Sequence, residues 1–263
     1  MDNKEWADRN PFTNQYVREE ADFYNLKAYD QDGIVLTSGA PMGVLDDYLN
    51  RHFAIGDLLV PVLRIDGVLW MSLTRMECQS QHLPILYSNG NVGTVGLGLG
   101  HYALRTIAKP SVTKLTVFEK DERIISFFTN SFSNREGFNK LEIIHGDGRE
   151  TCQGYEFDFL YVDIYPTCLG DEVISDIELF TNNNVFYNGA LDYHFWGIER
   201  VLLEAINENI LSSEDLPLPF IKYINQWLST KVEGIQGDYT LSGLHHPFVD
   251  NEYINLVIEK LGI

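Results

Sequence analysis

From Gly90 to Asp163 the chain alternates short apolar runs with helix-spaced ones, and the first apolar run breaks into Gly96-Leu97-Gly98-Leu99-Gly100. This alternation constrains the fold more than any other feature. Strands that take turns with helices form a parallel sheet covered on both faces. In order, NVGTVGLG reads as a buried strand, HYALRTIAK as a helix stopped near Pro110, KLTVFEKD as a strand and ERIISFFTNSF as an amphipathic helix. KLEIIHGD and FDFLYVDIY read as two further strands, DEVISDIELFTNN as a helix and VFYNGAL as a fifth strand. YHFWGIERVLLEAINENI and PFIKYINQWLST have helical spacing, and the tail YINLVIEKLGI reads as a helix or a strand.

The expected fold class is therefore α/β, a Rossmann-like doubly wound sheet. Two units are expected, an N-terminal extension over 1–88 and the nucleotide-binding α/β domain with its C-terminal helices over 89–263. In the extension, Asp57–Leu73 carries two apolar runs about Asp66-Gly67, the signature of a β-hairpin. ADFYNLKAYD reads as a short helix.

Four elements carry chemistry. The glycine loop stands between a strand and a helix, where bare backbone approaches a ligand closely and the helix start offers free N–H groups. Glu119, at the end of KLTVFE, falls at the tip of the neighbouring strand, where a carboxylate accepts both hydroxyls of a ribose. Asp147, in His145-Gly146-Asp147-Gly148, is an acid on a flexible loop, suited to the amino group of an adenine, although Gly-Asp-Gly is also good turn chemistry. Asp163 ends an otherwise apolar strand at the sheet edge where ligands bind, and an acid there needs a partner or a task. A dinucleotide-dependent dehydrogenase fits poorly, because its G-x-G-x-x-G needs a glycine where this chain has His101, and it leaves Asp147 and Asp163 unexplained.

VGLGLG, VTKLTVFEKDERII, LEIIHGDGRE and FDFLYVDIYP together resemble the class I S-adenosylmethionine-dependent methyltransferases, and within that superfamily the spermidine synthase-like branch. The upstream LWMSLTRMECQSQ is similar to the segment before the glycine loop in some methyltransferase-like proteins. The resemblance covers about a quarter of the chain. It implies that Gly96, Gly98 and Gly100 lie against the methionine part of S-adenosylmethionine. It also implies that Glu119 holds the ribose, that Asp147 faces adenine with Gly148 supporting the loop, and that Asp163 sits beside the reacting centre, assisted by Tyr165. Gln79 and Gln81 are expected to close over the cofactor. Three positions depart from the pattern. Thr94 stands where many methyltransferases have an acid, Leu99 replaces the loop Asp of spermidine synthases, and Tyr165-Pro166 replaces their second Asp.

The function expected from this is a transferase dependent on S-adenosylmethionine, moving a methyl group to a small-molecule acceptor. The alternatives are an aminopropyltransferase using decarboxylated S-adenosylmethionine, and a cofactor-binding or interaction protein without turnover. The net charge of −19, from 38 acidic and 19 basic residues, repels a phosphate backbone and suits a cationic acceptor. No nucleic-acid partner is expected, and Asn10-Pro11-Phe12 lacks the second proline of the nucleic-acid amino-methyltransferase motif. Three cysteines without C-x-x-C spacing suggest neither a disulfide framework nor a zinc site, and His245-His246 has no spaced partner, so no metal is expected. His101 at a helix start, and Tyr187, Tyr193, Trp196 and Trp227, read first as packing residues. The first ten residues lack a basic-then-apolar pattern and no apolar run is long enough to span a bilayer, so a cytoplasmic location and no membrane partner are expected. A homodimer is left open.

Overall fold

The computed structural model describes residues 2–39, 44–46, 48–49, 52–54, 59–165, 172–186, 192–230 and 251–261. Pro166, Cys168, Tyr187, His245 and His246 lie outside the described residues, as do parts of the expected strand VFYNGAL.

The chain begins with α1 (Asn3–Asp8) and α2 (Asn14–Tyr24). Asp2 and Glu5 form a reciprocal capping box at the start of α1, and the Thr13 hydroxyl caps α2. The expected helix over 21–30 is instead the last turn of α2. Asn25 in the left-handed conformation stops it, and the following residues turn into a strand. Next come β1 (Tyr29–Gln31), β2 (Ile34–Gly39), β3 (Val44–Asp46), β4 (His52–Ala54), β5 (Val60–Ile65) and β6 (Val68–Ser72). β1, β2, β5 and β6 form an antiparallel sheet in that order, and β3 pairs with β4. The β5–β6 hairpin turns at Asp66-Gly67 as expected, both at positive φ (51° and 80°), the backbone a two-residue hairpin turn requires.

Two short helices, α3 (Arg75–Ser80) and α4 (His82–Tyr87), lead into the α/β region. It comprises β7 (Gly90–Val95), α5 (His101–Ile107), β8 (Val112–Glu119), α6 (Glu122–Phe132), β9 (Leu141–His145), α7 (Gly148–Thr151), β10 (Glu156–Phe157), β11 (Phe159–Val162) and α8 (Glu172–Asn183). It continues through β12 (Val185–Phe186), β13 (Tyr193–Phe195), α9 (Ile198–Asn207), α10 (Leu218–Ser229) and α11 (Asn251–Leu261), so the tail is helical.

The main sheet is fully parallel, in the order β13-β11-β7-β8-β9. The chain runs outward from β7 through β8 and β9, then returns to the other side of β7 with β11 and β13. The strand order therefore reverses between β7 and β11, the Rossmann-like switch point, at whose carboxyl ends a doubly wound sheet has its ligand crevice. Val92, Val95, Leu115, Val117 and Phe159–Val162 are buried, as strands covered on both faces must be, and Phe127, Phe128 and Phe132 of α6 close one side. Each such phenylalanine stabilises the fold by about 2–3 kcal/mol.

Two expectations change here. β12, at the start of VFYNGAL, pairs with β10 and not with the main sheet. The fifth strand of that sheet is Tyr193–Phe195, which the helical spacing had assigned to the long helix. Gly197, at φ 100°, separates strand from helix, and α9 begins only at Ile198. Among the described residues no helix is long and apolar enough to cross a membrane.

Candidate active site

The crevice gathers the ends of four strands. β7 runs into Gly96, β8 ends at Glu119, β9 runs into Gly146-Asp147, and β11 runs into Asp163. The glycine loop has a steric reason at each glycine. Gly96, at φ 96°, lets the backbone pass the Asp163 carbonyl, which a β-carbon would strike at 2.2 Å. A β-carbon on Gly100 would meet the Phe128 ring at 2.1 Å, so this glycine seats the loop on α6. Gly98 faces the hairpin, with the Met71 sulfur 2.5 Å from where its β-carbon would be. Gly148 lies against Val95 in the same way, at 2.2 Å, which lets α7 close on the strand.

Glu119 is buried and bonded to the loop. One carboxylate oxygen accepts the Leu97 N–H at 2.9 Å and the other the Asp121 N–H at 2.8 Å. Each oxygen keeps a lone pair, so the group can still receive hydroxyl donors. Asp147 is half-buried and caps α7, accepting the Arg149 N–H at 2.9 Å. The Arg149 guanidinium in turn grips Asp176 with two bonds of 2.8 and 2.7 Å.

Asp163 is half-buried, and burial pushes its carboxyl up to about 6 even though the Tyr161 hydroxyl donates to it at 3.1 Å. Tyr161 and Asp163 stand two residues apart, on one face of the strand line. A second carboxyl lies within range of the Asp163 charge. Burial, and then the Asp163 charge, hold Glu77 of α3 well above the usual carboxylate range. A third acid also acts on Tyr161. Glu199 accepts the Tyr48 hydroxyl at 2.6 Å and stands 3.0 Å from His194, and both Glu199 and His194 are buried. Among the described residues no lysine or arginine forms an ion pair with Glu77 or Asp163.

Other expected site residues lie elsewhere or do other work. Gln79 does not open on the crevice. Its amide accepts the Tyr48 N–H at 2.9 Å and donates to the Pro11 carbonyl at 3.0 Å, and so ties the N-terminal segments together. Gln81 is buried between the Glu77 carboxyl, to which its Nε2 donates, and the His101 ring. The Tyr165 hydroxyl is buried beside the Asp176 carboxylate, short of hydrogen-bond geometry. Burial, and then that charge, push its ionisation far up, so it stays a neutral phenol. His101 is a packed residue, but its neighbours are polar: Gln81 and Glu20. Tyr193, Trp196 and Trp227 belong to the core or pack against it.

Glu77, Tyr161, His194 and Glu199 are the site residues that sequence reasoning missed. One signal was available, since Glu77 and Gln81 stand four apart and so share a helix face. His194 and Glu199 lie on opposite sides of the Gly197 break, where no periodicity links them.

No protein-family model matches the chain, and no curated protein matches it significantly. Solved structures similar to it include a spermidine synthase in complex with the transition-state analogue AdoDATO, at 18% identity and a TM-score of 0.37 over 57% of this chain and 52% of that one. Another is the spermidine synthase from Thermotoga maritima, at 18% identity and 0.36 over 57% and 53%. A probable spermidine synthase from Corynebacterium glutamicum ATCC 13032 aligns at 12% identity and 0.38 over 62% and 61%. The chain thus spans little more than half the length of the first two, and the class of fold rests on its own strand order.

Proposed function

We propose that the chain is a transferase that takes a carbon group from a sulfonium nucleoside of the S-adenosylmethionine type and delivers it to a cationic small-molecule amine, with aminopropyl transfer from the decarboxylated donor favoured over methyl transfer. The observation that carries this reading is that Glu77 lies within range of the Asp163 charge at the switch-point edge, two carboxyls with no arginine or lysine ion pair among the described residues. Such a pair calls for positive charge from a ligand. A decarboxylated donor brings a sulfonium and an ammonium, whereas the carboxylated form adds an anion that the pair repels. Leu99 lacks the loop carboxylate expected of this chemistry, but Glu77 supplies one from α3.

The residues present fit such a nucleoside. Glu119 has lone pairs left for ribose hydroxyls, Asp147 stands at the next strand tip for the adenine amino group, and Gly96, Gly98 and Gly100 add no side chains of their own to the loop, where only the flexible Met71 covers Gly98. The sulfonium, when bound, supplies an electrophilic carbon. Asp163 and Glu77 hold the cationic acceptor so that one of its nitrogens, once deprotonated, lies against that carbon, and positioning provides most of the rate. Asp163, ionised above about pH 6, takes a proton from that nitrogen, whose lone pair forms the new bond to carbon as the carbon–sulfur bond breaks and its electron pair leaves on a neutral thioether. Tyr161 fixes the Asp163 carboxyl by its hydrogen bond.

Calorimetric titration tests this with S-adenosylmethionine and its decarboxylated form, on wild type and the Glu119→Ala and Asp163→Ala variants. The decarboxylated form is expected to bind more tightly, and Glu119→Ala to weaken it by about tenfold or more, 1.4 kcal/mol. Tighter binding of the carboxylated form would return the reading to methyl transfer. Binding of neither would sink both.

A further inference from the structure

A buried polar chain runs from the crevice into the N-terminal helices. Gln81 Nε2 donates to Glu77, and Gln81 Oε1 lies 2.6 Å from His101 Nδ1. His101 Nε2 lies 2.7 Å from a Glu20 oxygen that also accepts from Arg105 Nε at 2.7 Å, and Arg9 holds the other Glu20 oxygen. Burial alone would raise the Glu20 carboxyl, but His101, Arg105 and Arg9 overcome it and bring it to about 2. Glu20 therefore only accepts.

An amide has one donating and one accepting end. With Nε2 toward Glu77, the Gln81 oxygen faces His101 Nδ1 and needs a hydrogen there. Glu20 needs one on Nε2. Both ring nitrogens must then be protonated, and Glu77 only accepts, as its ionised form does with either oxygen. Burial opposes that imidazolium, as do the charges of Arg105 and Arg9, while Glu20 supports it, and the net shift of His101 is downward. Turning the amide by half a turn gives the other consistent arrangement. Nε2 now donates to a neutral ring at Nδ1, and Oε1 accepts from a protonated Glu77, the form that Asp163 and burial favour. The two arrangements hold the same number of protons. Going from the first to the second breaks the N–H bond at His101 Nδ1 and forms an O–H bond at Glu77.

We propose that the Gln81 amide makes the charge of Glu77 and the proton on His101 Nδ1 a single linked variable, with Gln81 and His101 acting as positioning residues for the carboxyl pair. The groups facing Glu77 are Gln81, Asp163 and Tyr161; those facing His101 are Gln81, Glu20, Arg9 and Arg105. A cation arriving at the crevice favours ionised Glu77 and so protonates His101. The coupling belongs to the protein alone and does not depend on which ligand binds.

The test is nitrogen NMR of the full chain labelled at histidine, following His101 across a pH titration in wild type, Asp163→Asn, Glu77→Gln and Gln81→Met. Asp163→Asn removes the like charge beside Glu77 and is expected to raise the ratio of doubly protonated to neutral His101 by about tenfold near neutral pH. Glu77→Gln is expected to hold His101 neutral with its proton on Nε2. Adding Gln81→Met to Asp163→Asn should cancel that variant's effect. Identical His101 titrations in wild type, Asp163→Asn and Glu77→Gln would overturn the proposal, and this comparison does not need the Gln81 variant to fold.

Discussion

The Met71 thioether lies on the glycine loop, its sulfur 3.0 Å from the Leu99 N–H that donates to it and directly over Gly98. A hairpin side chain thus covers backbone that the proposed reading leaves free for a nucleoside. The contact is made by one flexible, polarizable side chain, which can yield without disturbing the sheet.

Met71→Ala is therefore expected to release the Leu99 N–H and to tighten binding of the preferred S-adenosyl donor by about tenfold, seen by calorimetry. An unchanged or weaker affinity would mean that the thioether supports the loop and does not compete at it.

Asp163 has a stability consequence of definite sign. Its carboxyl lies above its ordinary 3.8, at about 6, so the folded protein prefers it protonated. Its favourable contribution is complete below about pH 4 and is lost as pH rises through about 6, a difference of about 3 kcal/mol. Asp163→Asn carries no such penalty. The variant is expected to melt a few degrees above wild type at pH 8 and close to it at pH 4. Equal melting differences at both pH values would contradict a strained carboxyl at this position.

Glu20 behaves in the opposite sense. Held at about 2 against an ordinary 4.5, it stabilises the fold above about pH 4.5, and that contribution is lost as pH falls toward 2. Glu20→Gln leaves Arg105 without its carboxylate and Arg9 with only the exposed Glu19. The expected cost at pH 7 is about 3 kcal/mol or more, shrinking in acid, as read from urea midpoints. A loss below about 1 kcal/mol would show that the buried cluster relaxes.

The α/β core was legible because its main strands and helices from Gly90 to Val162 satisfy their own periodicity, and β7, β8, β9 and β11 each end at or run into glycine or an acid. Its site residues were legible for the same reason. Gly96, Glu119, Asp147 and Asp163 all end strands, and a parallel sheet delivers strand ends to one edge. Tyr193–Phe195 misled because three apolar-flanked residues fit either period, and only pairing with Leu160–Val162 makes them a strand. Gln79 and Gln81 looked alike in the sequence, yet helix α3 turns the first into the N-terminal packing and the second toward Glu77.

By itself the sequence determined the class of fold, the loop that must be glycine and the acids at the strand tips, because these follow from local periodicity and from where a parallel sheet ends. Only the tertiary structure decided that Glu77 comes within range of the Asp163 charge, that Glu199 meets Tyr48 and His194, and that Glu20 reaches His101 from 81 residues away. The last of these arises where α2 packs against α5. Burial there turns ordinary carboxyls into coupled ones, and no local pattern encodes a dielectric.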